Sequence, residues 1–79
     1  MYWNKINNGC YEFTRKFGYA PNEVYMSRDI YSKLEQEMFG EQWWHLVKHN
    51  SVRGLHVRLD ENAEVFKITG KDGDYLIIK

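Results

Sequence analysis

The sequence predicts an α+β fold: a small, largely antiparallel sheet of three to four strands, with two longer helices packed on one face and a C-terminal β-hairpin. Three observations lead to this prediction. Apolar residues recur at helical spacing in the first half of the chain. After Gly54 they alternate with polar ones, which is typical of strands with one buried face. The chain has 79 residues, enough for a single domain over 1–79 and too few for two.

The first predicted element is an amphipathic helix. Its apolar residues fall on one stripe at about 100° per residue, and they are Tyr2, Trp3, Ile6, Cys10, Phe13 and Phe17. The Asn-Gly pair at 8–9 favours a hairpin turn instead, so residues 2–9 are either helix or hairpin, whereas 10–17 are predicted to be helical. Gly18 stands where a left-handed C-cap belongs, and Pro21 prevents continuation of the helix.

A short strand over 22–26 precedes a second helix. Ser27 is a typical N-cap residue, and Asp29 lies in the first turn near the positive end of the helix dipole. The apolar face of this helix recurs at spacing four and consists of Ile30, Leu34 and Met38. Gly40 is expected to end it.

A third, shorter helix over 41–49 is followed by three strands. The first strand starts at Gly54, the second covers 64–69, and the third covers 75–78 after a turn at 70–73. We expect the helices to pack on these strands through Ile6, Phe13, Phe17, Ile30, Leu34, Met38, Leu55, Val57, Phe66, Ile68 and Ile77.

Composition excludes several classes of protein. No apolar run is long enough for a membrane span, and the N-terminus lacks the pattern of a signal peptide, so an intracellular, cytoplasmic location and no membrane partner are expected. One cysteine permits neither an internal disulfide nor a four-cysteine zinc site. Eleven Lys and Arg balance eleven Asp and Glu. A protein whose main function is nucleic-acid binding usually has a basic excess, so this function is less expected, although a local basic patch is not excluded.

One pattern could hold a metal ion. Glu41, His45 and His49 are spaced four apart, so a helix would stack them on one face. Position 46 is Leu, so this is not the HExxH motif of zinc proteases. The same residues also form the polar side of an amphipathic helix, and we expect no metal or other cofactor. A metal-dependent enzyme using these three residues remains an alternative.

The sequence contains no convincing catalytic site. Cys10 lies in the apolar stripe of the first helix, where a buried, unreactive thiol is expected. Ser27 is explained as an N-cap. We therefore expect a protein that is not an enzyme.

A basic and aromatic stretch is the best candidate for a binding surface. Trp44 lies at the border of the apolar face of its helix, Lys48 follows one turn on, and Arg53 and Arg58 come next. Tryptophan and arginine are enriched at binding hot spots, so these four residues are predicted to form a patch that binds a protein partner. The alternative is a nucleic-acid module using residues 43–58, in which the basic groups contact phosphates and a tryptophan stacks on bases.

Residues 21–27 (PNEVYMS), followed by the helix that begins DIYSKL at residue 29, resemble a segment of the major capsid proteins of tailed bacteriophages. In that family a helix precedes such a strand, and a further helix and two strands follow. Residues 54–58 (GLHVR) and 65–68 (VFKI) stand at comparable places. The resemblance covers roughly residues 8–69 and implies a phage or prophage origin. It does not imply shell assembly, because the long helix and extended loop of a capsid subunit do not fit in this chain.

These observations together predict a small, non-enzymatic protein-interaction domain, and the resemblance implies that a phage or prophage encodes it. The aromatic content, 16% of the residues, exceeds what a core of this size readily buries. Near-zero net charge favours association with other molecules.

Overall fold

A computed structural model describes all residues from Met1 to Lys79 and contains a five-stranded sheet and three helices. The helices are α1 (Tyr2–Phe17), α2 (Arg28–Glu37) and α3 (Glu41–His49), and the strands are β1 (Glu23–Met26), β2 (Ser51–Val52), β3 (Leu55–Leu59), β4 (Phe66–Thr69) and β5 (Tyr75–Ile78). The predicted α+β class is confirmed. The sheet has five strands, whereas three to four were predicted. Besides the two longer helices, the shorter α3 is also present.

The strands are ordered β2-β3-β1-β4-β5, with β1 at the centre. β1 runs parallel to β3 and antiparallel to β4, and every other neighbouring pair is antiparallel. A parallel pair needs a crossover connection, and here α2, α3 and β2 lie between β1 and β3 in the chain. Val24 of β1 therefore pairs with Val57 on one side and with Ile68 on the other.

One face of the sheet is buried under the helices. The fully buried side chains include Phe13 of α1, Leu34 of α2 and Leu46 of α3, which share one cluster with the inward residues of the strands. The prediction that Ile77 belongs to this core is wrong, because Ile77 is 44% exposed. In β5 the half-buried residues Leu76 and Ile78 face the core instead, and strand alternation turns Ile77 outward.

Residues 2–9, for which the sequence allows either helix or hairpin, are helical. The surroundings of Gly9 explain why a glycine stands at this position. A Cβ at this position would lie 2.6 Å from Cδ1 of Ile68 and 3.1 Å from Cδ1 of Ile78. A side chain at this position would force the Ile68 side chain to move, so α1 packs closely on β4 and β5 here. The Asn-Gly pair marks a helix–sheet contact rather than a turn.

Two of the three local signals at the helix ends agree with the structure, whereas Gly40, expected to end the second helix, is the N-cap of α3, and α2 already ends at Glu37 with Met38 as its C-cap. Ser27 is the N-cap of α2, and its Oγ accepts a hydrogen bond from the Ile30 backbone N–H at 3.2 Å. Gly18 adopts the left-handed conformation, with φ 80°, at the C-cap of α1. None of the three helices combines the length and apolar character that crossing a bilayer requires.

The unpredicted strand β2 forms a hairpin with β3 through Arg53 and Gly54. Both residues have positive φ, 52° and 79°, as a tight two-residue hairpin turn of type I′ requires. The usual sequence signal for this turn is Asn-Gly, and the Arg-Gly pair found here does not predict it. The two residues of β2 are also too few to show a period.

Candidate interaction surfaces

Exposed aromatic side chains are concentrated at the start of α3 and just before it. Phe39 is 79% exposed, Trp44 is 46% exposed and Trp43 is 39% exposed. Leu46 anchors α3 in the core, and Trp44 and Lys48 project on the opposite side of the helix at about 100° per residue. We call Phe39, Trp43, Trp44 and Lys48 the α3 surface.

Two histidines extend this surface along α3. The Trp44 ring packs edge-on against the imidazoles of His45 and His49, with ring centroids 5.5 and 4.5 Å apart. The two imidazoles lie 5.7 Å apart at their centroids. No three side chains of His, Cys, Asp or Glu come close enough to share a metal ion, so Glu41 does not complete a site with the histidines. The three residues line the exposed side of an amphipathic helix.

Arg53 lies beside α3 but is engaged by α1. A cleft of about 320 Å³ is bordered by His45, Trp3 and Arg53 among others. The Arg53 guanidinium donates a hydrogen bond to Oδ1 of Asn7 at 2.6 Å. This bond fastens the β2–β3 turn to the first helix, so Arg53 has a structural partner as well as an exposed position.

Arg58 lies elsewhere, on the face of the sheet that no helix covers. Leu55 and Val57 of β3 are buried under the helices, so the alternation of the strand turns Arg58 to the opposite face. Its Nε donates to Oε2 of Glu23 at 2.9 Å. The structure therefore places Trp44 and Lys48 one turn apart on α3, sets Arg53 across a cleft from His45, and turns Arg58 to the opposite face of the sheet.

The uncovered face carries a second group of aromatic and basic side chains. The strand register sets Arg58, Tyr25, Lys67 and Ile77 in one row across four strands. A second row contains His56, Glu23, Thr69 and Tyr75. We call these eight residues the open sheet face. Sequence reasoning missed this surface, because its members come from four separate segments and meet only through the strand order.

Lys67 is the centre of the open sheet face. Its ammonium lies 4.9 Å from the ring centroid of Tyr75 and 5.7 Å from that of Tyr25. These are cation–π distances. Lys67 takes part in none of the four ion pairs of the protein, so its positive charge is not neutralised by a carboxylate.

The side chains considered as nucleophiles are in structural positions. Cys10 is buried, and burial raises the pKa of its thiol although the nearby Arg53 guanidinium acts in the opposite direction. A thiol with a raised pKa is protonated and weakly nucleophilic near neutral pH. Ser27 is occupied as the N-cap of α2.

No protein-family model, curated protein or solved structure matches the chain. Function is therefore inferred from the α3 surface and the open sheet face.

Proposed function

We propose that this chain is a small, non-enzymatic protein-interaction domain that binds a partner protein through the α3 surface. The observation that supports this function is the exposure of three large aromatic side chains, Phe39, Trp43 and Trp44, within six residues of the chain. Aromatic residues, with tryptophan foremost, supply most of the binding energy at protein interfaces. An exposed tryptophan on the outer side of α3, with exposed Trp43 and Phe39 near it in the chain, suits docking into an apolar pocket of a partner.

The charge around the aromatic residues also supports a protein partner. Lys48 is exposed and belongs to no ion pair, and Arg53 is exposed across the cleft. Lys48, one turn after Trp44, gives the aromatic residues a polar edge, as in many protein interfaces. This polar edge favours a partner with carboxylates around its apolar pocket.

A phage or prophage origin belongs to the same proposal. The chain has the element order that the resemblance to capsid proteins implies, namely α1, β1, α2 and then the strands β3 and β4. Helix α3 and strand β2 are additional and lie between α2 and β3. The α3 surface, which carries the proposed function, is thus built on the segment that the resemblance leaves without a counterpart.

The proposal is tested by retention of proteins from a native cell extract, followed by titration of a purified retained protein. We expect Trp44→Ala to weaken binding by at least about 2 kcal/mol, because truncation of a hot-spot aromatic removes a central contact. The melting temperature should stay nearly unchanged, since Trp44 contributes nothing to the core. The matched control is Tyr11→Ala, which removes an exposed aromatic residue from α1.

Two results would contradict the proposal. One is equal binding of the partner by the wild type and by Trp44→Ala. The other is unfolding caused by Trp44→Ala, which would assign the ring to the core. The affinity should fall only modestly with salt, whereas a steep log-linear decline would indicate phosphate contacts and favour the nucleic-acid alternative for residues 43–58.

A further inference from the structure

We infer that the open sheet face binds single-stranded nucleic acid, with Tyr25 and Tyr75 stacking on bases and with Lys67 and Arg58 contacting phosphates. This surface is distinct from the α3 surface and does not depend on the function proposed for it. The inference is supported by the placement of the rings, by the charge between them and by the scarcity of aliphatic side chains.

The two tyrosine rings form a platform of suitable size. Tyr75 is 56% exposed, and Tyr25 is half-buried at the centre of the sheet. Their strands are separated by β4, and their register differs by two residues, so their Cα atoms lie about 12 Å apart given the usual strand spacing and rise. Each ring can therefore take its own base. Stacking on aromatic rings is available only to bases that are not already stacked in a duplex.

The charge of the face complements a phosphate backbone. Glu23 is its only carboxylate, and it is already paired with Nε of Arg58. The terminal guanidinium nitrogens of Arg58 donate to no acceptor in the protein, and the Lys67 ammonium has no carboxylate partner. Among the eight residues, Arg58 and Lys67 therefore outnumber Glu23, while Asp60 and Glu64 border Lys67 and Ile77 at the edge of the face.

The composition of the face also suits this ligand. Ile77 is the only aliphatic residue among the eight, whereas the cores of protein interfaces are predominantly apolar. Flanking both rings with cations is the arrangement that single-strand binders use, because bases and phosphates alternate along the ligand.

The test is fluorescence anisotropy with labelled oligo(dT) and oligo(U) of roughly 12 nucleotides, long enough to cover both rings. We expect the wild type to bind with a Kd in the micromolar range at about 50 mM salt. Tyr75→Ala and Tyr25→Ala should each raise this Kd by about 5- to 150-fold, which corresponds to the loss of one stacked base. Lys67→Ala should reduce the slope of log K against log salt by about 0.7, since it removes one phosphate contact.

Control variants separate this site from the α3 surface. Tyr11→Ala and Trp44→Ala should leave the Kd for the oligonucleotide unchanged. Amide chemical shifts of the wild-type protein provide a measurement without mutation: oligo(dT) should perturb β1, β4 and β5 and leave α3 unaffected. A matching DNA duplex should bind more weakly than the single strand.

Several results would overturn the inference. They are the absence of binding at low salt, tyrosine variants that bind as tightly as the wild type while only the cation variants weaken binding, and shift perturbations confined to α3. The second result would show that the face binds polyanions through charge alone, without stacking of bases on the tyrosines. The third would transfer nucleic-acid binding to residues 43–58 and leave the open sheet face without this role.

Discussion

Two aromatic residues show how different the roles of similar side chains are in this protein. Phe13 is fully buried and packs against Phe17 and Tyr19, with ring centroids 4.7 and 5.5 Å apart. Trp44 contacts only the histidines of its own helix among the aromatic residues and is almost half exposed. The first ring stabilises the fold, and the second is available to a partner.

Phe13→Ala should therefore lower the free energy of unfolding by about 3–5 kcal/mol, because a buried ring is replaced by a cavity. Urea denaturation measures the change, with Tyr11→Ala as a control for an exposed ring on the same helix. A loss under about 1 kcal/mol would show that α1 does not pack on the sheet as described.

At the scale of single residues, the structure also differs from the predicted patch of Trp44, Lys48, Arg53 and Arg58. Exposure of Trp44 and its proximity to Lys48 follow from one helix and could be predicted from spacing. Arg58 was assigned to the same patch because it is near in sequence, although the alternation of Leu55 and Val57 already turns it to the other face of the strand. The open sheet face could not be predicted, because nothing local to Tyr25 reveals that Lys67 is its neighbour.

At the scale of elements, α1 begins without a cap of its own. Met1 offers no side-chain hydrogen bond, and the first turn contains no acidic residue. The cap is supplied by α2: the Glu37 carboxylate accepts hydrogen bonds from the backbone N–H groups of Tyr2 and Trp3 at 3.0 and 2.9 Å. One side chain thus satisfies two free N–H groups and places negative charge at the positive end of the helix dipole.

Glu37→Ala should destabilise the protein by about 1–2 kcal/mol, because it leaves the start of α1 uncapped. The matched control is Glu35→Ala, the same substitution on the same helix, which should change stability by less than about 0.5 kcal/mol. Thermal and urea unfolding measure both. Equal effects of the two substitutions would show that the Glu37 cap does not contribute to stability.

The elements differ in how far they could be predicted. Helices α2 and α3 and residues 10–17 of α1 have apolar stripes or clear caps, and their periods predict them, whereas residues 2–9 of α1 are left open between helix and hairpin. Strand β5 reads Tyr-Leu-Ile-Ile, with no polar residue to mark its outer face, so the sequence cannot tell that Leu76 and Ile78 rather than Ile77 face the core. The parallel pairing of β1 with β3 depends on a contact between distant segments, which no local pattern encodes.

At the scale of the whole molecule, stability comes from the core rather than from charge. The four ion pairs are on the surface, where such pairs contribute little. Ionisation affects the stability of the fold instead at three partly or fully buried side chains. Burial raises the pKa of the Cys10 thiol and of the Tyr31 and Tyr19 phenols, and the Asp74 carboxylate adds to the effect at Tyr19.

These pKa shifts predict a loss of stability at alkaline pH. A raised pKa in the folded state means that the folded protein holds its protons more tightly than the unfolded chain. The stabilisation is complete below the ordinary pKa values of 9.0 for the thiol and 10.0 for the phenols, and it is lost as pH rises through the folded values. The free energy of unfolding should therefore decline above about pH 9.

Urea denaturation at neutral and alkaline pH measures this decline. Tyr31→Phe should make it shallower, because the variant lacks one of the shifted phenols, and the exposed Tyr11→Phe should leave it as in the wild type. Identical slopes for all three proteins would contradict the assignment of the effect to Tyr31. The neutral phenol also donates to the Leu46 carbonyl at 3.1 Å, so Tyr31→Phe should lower stability at neutral pH as well.

The central position of β1 has a consequence for how the protein is made. Both strands that pair with β1 are synthesised after it, since β3 and β4 lie at Leu55–Leu59 and Phe66–Thr69. While the nascent chain emerges from the ribosome, α1 and α2 can form their local hydrogen bonds, but β1 has no partner. The backbone N–H and C=O groups of β1 therefore stay without their sheet partners until β3 and β4 have been synthesised, and formation of the sheet depends on contacts between distant segments.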